Sequence, residues 1–171
     1  MRRLRYQVAT SLDGYIAGPN GELNWIVMDP EVNFAELFAH FDTAVMGRKT
    51  FATLAQTGSA MAGLNVVVYS KTVRSADYPD VTVVASDPVE HARSLKAKAG
   101  KDIWLFGGGA LFRTFLEAGL VDTVEPAVIP VLLGSGVPIP PAPYLRTMLS
   151  LTKHRLYQHS GIMLLEYAIR L

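Results

Sequence analysis

The sequence predicts an α/β protein: a central sheet, mostly parallel, finished by an antiparallel hairpin. Three observations carry this. Short β-branched runs alternate with helical patterns from Leu4 to Ala118. Two of those runs end in glycine-bearing turns that lead straight into a helix. Beyond Val121 the alternation stops, and three strand patterns follow with no helix between them.

Taken in order, Leu4 to Thr10 alternates as a strand. Asp29-Pro30 reads as a helix start, with Asp as N-cap and Pro at the first helical position. Phe34, Leu37, Phe38 and Phe41 then form one apolar stripe on that helix. Thr43 to Met46 is a short buried strand. Lys49 to Gln56 is a second helix that buries Phe51, Leu54 and Ala55 and stops at Gly58. Asn65 to Tyr69 and Val81 to Ala85 are strands. Asp87-Pro88-Val89-Glu90 combines a cap, a proline and a first-turn carboxylate, so a third helix begins there and ends at Gly100. Ile103 to Phe106 is a strand and Gly108 to Ala118 a helix. Val121 to Ile129, Ser150 to Gln158 and Gly161 to Leu171 read as strands. No repeat, low-complexity tract or linker divides the chain, so residues 1–171 are expected to form one domain.

Composition narrows the function. Half of the 171 residues are apolar, 18% are charged and the net charge is +1, which gives no bulk electrostatic case for nucleic acid or a membrane surface. The N-terminus MRRLRYQVATSLDG is basic but lacks the apolar core of a signal peptide. Cysteine is absent, which excludes thiolate metal sites and a thiol nucleophile. A cytosolic home is the simplest expectation. The histidines show no metal-ligand spacing. Ser135 has no helix after it, so no nucleophile elbow forms.

Three loops could carry chemistry. Thr43–Met46 ends in Gly47-Arg48-Lys49-Thr50, Asn65–Tyr69 in Ser70-Lys71-Thr72, and Ile103–Phe106 in Gly107-Gly108-Gly109. If the strands are parallel neighbours, the loops line one edge, where α/β sheets bind ligands. Helix N-termini after Gly47 and Gly109, with Arg48, Lys49 and Lys71, would make an anion site. It would suit a pyrophosphate and a separate monophosphate. Three glycines cost backbone entropy; either something approaches that backbone more closely than a Cβ allows, or the glycines are turn residues between strand and helix. The run is not the dinucleotide fingerprint, since Phe112 stands where its last glycine would be, and no P-loop lysine follows.

With these loops in this order, the chain resembles the dihydrofolate reductase superfamily, in particular the branch of the riboflavin-biosynthesis reductase domain. The resemblance rests on SLDGYIAG, VMGRKTF, VVVYSKT, LFGGGALFRTFLEAGLVD and PVLLGSGVPIP, and spans nearly the whole chain. It implies a dihydrofolate reductase-like three-layer fold and NADPH as cofactor. Gly47, Arg48, Lys49 and Thr50 would then bind the cofactor, with Ser70 and Lys71 at its 2′-phosphate. Gly107, Gly108, Gly109 and Ala110 would receive the pyrophosphate. The first loop would lie over the nicotinamide with Asp13 near the substrate, although Asp13-Gly14 is also good turn chemistry. Trp25 is either the end of a lid or a core tryptophan.

Reduction also needs a proton, and the family keeps a carboxylate on the first helix. Asp29 is occupied as the cap and Glu36 lies opposite the apolar stripe. Glu31 is the one expected to face inward, unless it merely complements the helix dipole; water is the other source. Departures matter too. Gln56 to Leu64 has no basic residue to pair with a folate tail, and Phe106 replaces the acid that riboflavin reductases carry before the glycines. The Pro130–Pro143 connection is either an active-site rim or a dimer arm, and the resemblance implies a homodimer. The sequence thus points to an NADPH-dependent reductase of a small planar heterocyclic or carbonyl compound (pyrimidine-, pterin- or flavin-precursor-like). The alternative is a non-catalytic NADP-binding dimeric sensor.

Overall fold

The computed structural model describes residues 1–57, 61 and 63–170. In chain order the elements are β1 (Leu4–Ser11), β2 (Tyr15–Ala17), α1 (Phe34–Ala39), β3 (Phe41–Gly47), α2 (Arg48–Thr57), β4 (Asn65–Tyr69) and β5 (Val81–Val84). They continue with α3 (Pro88–Ala97), β6 (Asp102–Gly107), α4 (Gly109–Glu117), β7 (Thr123–Ile129), β8 (Val137–Pro138), β9 (Leu149–Leu156) and β10 (Met163–Ile169). Eight strands form one sheet in the order β5-β4-β3-β6-β1-β7-β10-β9. Every pair from β5 to β7 is parallel, and β7-β10-β9 is antiparallel. The predicted mixed sheet with its C-terminal hairpin is therefore what the chain forms.

Helices cover both faces. On one, α3 and α4 bury Ala92, Phe112 and Phe115 against Leu4, Tyr6, Val45, Val67, Ile103 and Leu105. Phe112 stacks on Tyr6 at 3.9 Å. On the other, α1 and α2 bring Phe38 and Phe51 to Ala44, Met46, Val68 and Trp104. Each such aromatic or aliphatic side chain contributes about 1.5–3 kcal/mol by burial. That second face also holds a buried ion pair. Arg5 donates two hydrogen bonds to Glu125, at 2.7 and 2.8 Å, and Thr123 and Gln7 donate to the same carboxylate.

Two features position the site. β1 and β6 pair only from Leu4↔Ile103 to Tyr6↔Leu105. Beyond that point β1 runs on against β7 and β6 against β3, so the sheet parts at its carboxyl edge. The second feature is a small sheet, β2 with β8, which the sequence reading did not foresee.

Three expectations are corrected. Asn33, not Asp29, caps α1, its side chain accepting from the Glu36 N–H. Asp29 instead closes the preceding turn, accepting from the Glu31 N–H. Phe41 belongs to β3, so the stripe runs through a helix that has already ended. Ala55 is exposed on α2. Gly58, the expected stop of α2, lies outside the described residues. No helix among the described residues is long and apolar enough to cross a membrane.

Candidate functional site

The consecutive parallel strands β4, β3 and β6 bring their carboxyl ends level, with Tyr69 beside Gly47 and Met46 beside Gly107. The three loops singled out in the sequence therefore do share one edge, next to the parting of β1 and β6. Both α2 and α4 start there, and the first-turn N–H groups of a helix have no partner within it. Gly108, the N-cap of α4, supplies no side chain to them, and Ala110 is exposed in that turn.

The glycines have separate reasons. Gly107 has φ +139, a conformation that side chains disfavour, and its peptide bond to Gly108 is cis. A Cβ on Gly47 would meet nothing within 4 Å, and one on Gly108 only the Thr50 hydroxyl at 3.1 Å. A Cβ on Gly109 would lie 2.8 Å from Pro141 Cδ and 3.0 Å from the Pro138 carbonyl. The protein itself thus occupies the space beside Gly109, while Gly47 faces open space. The Thr50 side chain lies beside Gly107 and Gly108.

Arg48, Lys49 and Lys71 are exposed, and their side chains make no hydrogen bond or ion pair among the described residues. Ser70 shapes the turn that presents Lys71: its hydroxyl oxygen accepts from the Thr72 and Val73 N–H groups at 3.1 and 3.0 Å. Beside this turn lies a cavity of about 300 Å³ lined by Arg48, Phe51, Thr72, Arg74, Asp77 and Tyr78. Phe51 meets Tyr78 edge to face at 4.8 Å. The sequence reading included Thr72 in its second loop but missed Arg74 and Tyr78. The alternation of Lys71 and Arg74 around Thr72-Val73 was the available signal.

The two carboxylates proposed for chemistry lie apart. Asp13 is exposed and accepts from the N–H groups of Leu133 (3.1 Å) and Gly134 (2.7 Å). A hydrogen bond from the Ser11 hydroxyl, followed by these backbone N–H groups, holds its carboxyl below the usual range. With the Leu12–Val131 and Ile139–Gly14 backbone bonds and the β2–β8 pair, Asp13 latches the first loop to the segment after β7. Glu31 does not face inward. It precedes α1, is exposed, and sits 3.6 Å from Arg155 on β9. Of Asp29, Glu31 and Glu36 the buried one is Asp29, which accepts from the Ser160 N–H as well and is held low chiefly by a side-chain bond to Ser160. Trp25 packs on the cluster of Ile129, Tyr157 and Ile162 and donates to the Glu22 carbonyl.

A second cavity, about 390 Å³, opens on the α4 face of β1 and β7. Thr10, Phe112, Leu116, Val124 and Val128 form its wall, and Ile139, Pro140, Tyr144 and Leu145 are among the residues that cover it. The Pro130–Pro143 connection is thus in part the rim of a cavity.

Strand order, helix placement and the parted edge place the chain among the dihydrofolate reductase-like α/β proteins. Within that class, it belongs to the RibD C-terminal domain family, whose model matches residues 2–163. It is 34% identical over 151 residues to the uncharacterized protein YyaP of Bacillus subtilis, covering 81% of this chain and 80% of that one. A protein from Shewanella sp. PV-4, provisionally assigned to riboflavin biosynthesis, superposes with a TM-score of 0.84 at 27% identity over the full length of both chains. The Thermotoga maritima diaminohydroxyphosphoribosylaminopyrimidine deaminase/5-amino-6-(5-phosphoribosylamino)uracil reductase superposes with a TM-score of 0.73 at 16% identity, covering 99% of this chain and 57% of that one.

Proposed function

We propose that the protein is an NADPH-dependent reductase of a small planar heterocyclic or carbonyl compound. One observation carries the reading: three unpaired cations and two helix N-termini line a single edge of the sheet, beside an aromatic-walled cavity. The donor set fits the cofactor. Arg48, Lys71 and Arg74 would hold the 2′-phosphate, and Phe51 and Tyr78 would flank the adenine. The pyrophosphate would lie over Gly47 and Gly108, against the first turns of α2 and α4. Bound NADPH supplies hydride; the protein supplies orientation and field. Asp13 acts as a positioning residue that orders the first loop beside the parted strands. With Asp13 engaged by backbone donors and Glu31 by Arg155, the proton comes from solvent. Relatives named as reductases support the same reaction class.

We also propose a homodimer. Leu151 and Leu156 share the sheet face that α3 and α4 cover elsewhere, yet they stay exposed, as does Met148. Such an apolar area marks an interaction surface. Titration with both cofactors tests the function. NADPH is expected to bind at least tenfold more tightly than NADH, and equal dissociation constants would sink the cofactor assignment.

A further inference from the structure

We infer that the substrate enters the cavity between α4 and the Ile139–Leu149 cover, and that it is an uncharged, largely apolar molecule with a hydrogen-bond acceptor rather than a phosphorylated sugar conjugate. This rests on the reading that the glycine edge holds NADPH. The cavity adjoins that edge. Phe112, in its wall, lies three residues after Gly109, about 4.5 Å along the helix. Pro140, in its cover, lies between Pro138 and Pro141, which touch Gly109. A ligand there would press against the helix whose N-terminus faces the pyrophosphate.

At about 390 Å³ the cavity has the size of a small-molecule site. None of the described residues that line it is charged. A phosphate in it would be desolvated without a partner, which is strongly unfavourable. Arg113, the cation of α4, turns its guanidinium to the carbonyls of Pro141, Ala142 and Pro143 at 3.3–3.4 Å. The unpaired cations Arg48 and Arg74 line the other cavity.

The polar lining atoms indicate the ligand's polar group. Thr10 donates its hydroxyl proton to the Ser11 carbonyl and Thr147 its own to Leu145. Tyr144, in the lining and exposed, has a hydroxyl without a partner among the described residues, and it can donate to a carbonyl oxygen. Phe106, immediately before the glycines, packs on Trp104 and offers no charge either.

The test compares two probes on the purified chain by calorimetry, 2-methyl-1,4-naphthoquinone and uridine 5′-monophosphate, with and without NADPH. The naphthoquinone is expected to bind saturably and the nucleotide not to compete. Leu116→Trp, which fills the cavity, should weaken the naphthoquinone at least tenfold, and Tyr144→Phe several-fold. The NADPH-induced melting shift should stay unchanged in both. Val128→Phe replaces Leu116→Trp if the latter fails to melt cooperatively. Nucleotide binding tighter than the naphthoquinone's, no naphthoquinone binding (as when a second copy plugs the cavity), or naphthoquinone affinity indifferent to filling overturns the inference. Loss of the NADPH shift in the wild type, with the probe results intact, overturns the cofactor reading alone.

Discussion

Replacing Arg74 by alanine separates the two nicotinamide cofactors, which differ only at the 2′-phosphate. Arg74 and Arg48 are the cations among the described residues that line the cavity of Phe51 and Tyr78, and Asp77 is the anion among them. A hydrogen bond to a charged group is worth about 1.5–3 kcal/mol. Both guanidiniums are exposed, and solvent screening puts each at the lower end of that range. About 1.4 kcal/mol is tenfold in affinity. Arg74→Ala should therefore weaken NADPH roughly tenfold and leave NADH within about twofold. Arg48→Ala should act similarly, and the double variant should lose about a hundredfold if the two contacts are independent. Asp77→Asn should tighten NADPH, because it removes a charge that opposes the phosphate. Fluorescence titration of both cofactors at two ionic strengths reads all of this, and salt should weaken NADPH more than NADH. Equal losses for the two cofactors, or no loss for either, would refute the placement of the 2′-phosphate.

Gly107→Ala, at φ +139, should cost about 1–3 kcal/mol, or roughly 2–4 °C of Tm per kcal/mol. Gly108→Val, whose φ is −91, should melt near the wild type but lose the NADPH shift; a full shift in that variant moves the pyrophosphate elsewhere. Asp13 has a depressed carboxyl pKa, so its stabilisation is present at neutral pH and is lost as pH falls from its unfolded value of about 3.9 through the folded one. Asp13→Asn should therefore lower Tm at pH 7 and converge with the wild type in acid, and a pH-independent difference counts against the latch. Glu125→Ala leaves the buried Arg5 only its longer, 3.4 Å contact with Asp102 and should cost about 3 kcal/mol in urea unfolding, the lower end for breaking a buried pair. Arg5→Met with Glu125→Leu should recover most of that; a double variant no better than the single one argues against an unpaired charge as the cause.

The strands were legible because their signals are local: β-branched runs, breakers and glycine turns. Caps were legible where one candidate stood alone, as at Asp87, whose side chain does accept from the Val89 N–H. The Asp29-Pro30 signal misled: Asn33, four residues on, caps α1, and the second oxygen of Asp29 is bound by Ser160, far along the chain. The same distance hid the role of Asp13, whose partners Leu133 and Gly134 no spacing rule connects to it. β2 and β8 are too short to show a period. The basic side of the candidate site came from motifs, but Arg74 and Tyr78 sit in a turn and loop without periodicity, so only the folded chain assembles their cavity with Phe51.

The position of β1 sets an order on folding. It is made first in synthesis, yet it lies between β6 and β7, which begin at Asp102 and Thr123. The pairs β3–β4 and β4–β5 close much shorter loops, so chain entropy favours that half of the sheet early. Leu4, Tyr6 and Val8 then remain without neighbours until most of the chain has emerged. Non-local pairing of this kind is slow and leaves an apolar strand exposed to wrong partners. Residues at the N-terminus, with Arg2 buried and bonded to Asp42 and the Lys101 carbonyl, are consequently part of the centre of the molecule. A substitution among Arg2 to Tyr6 therefore acts on a central strand whose partners are made late.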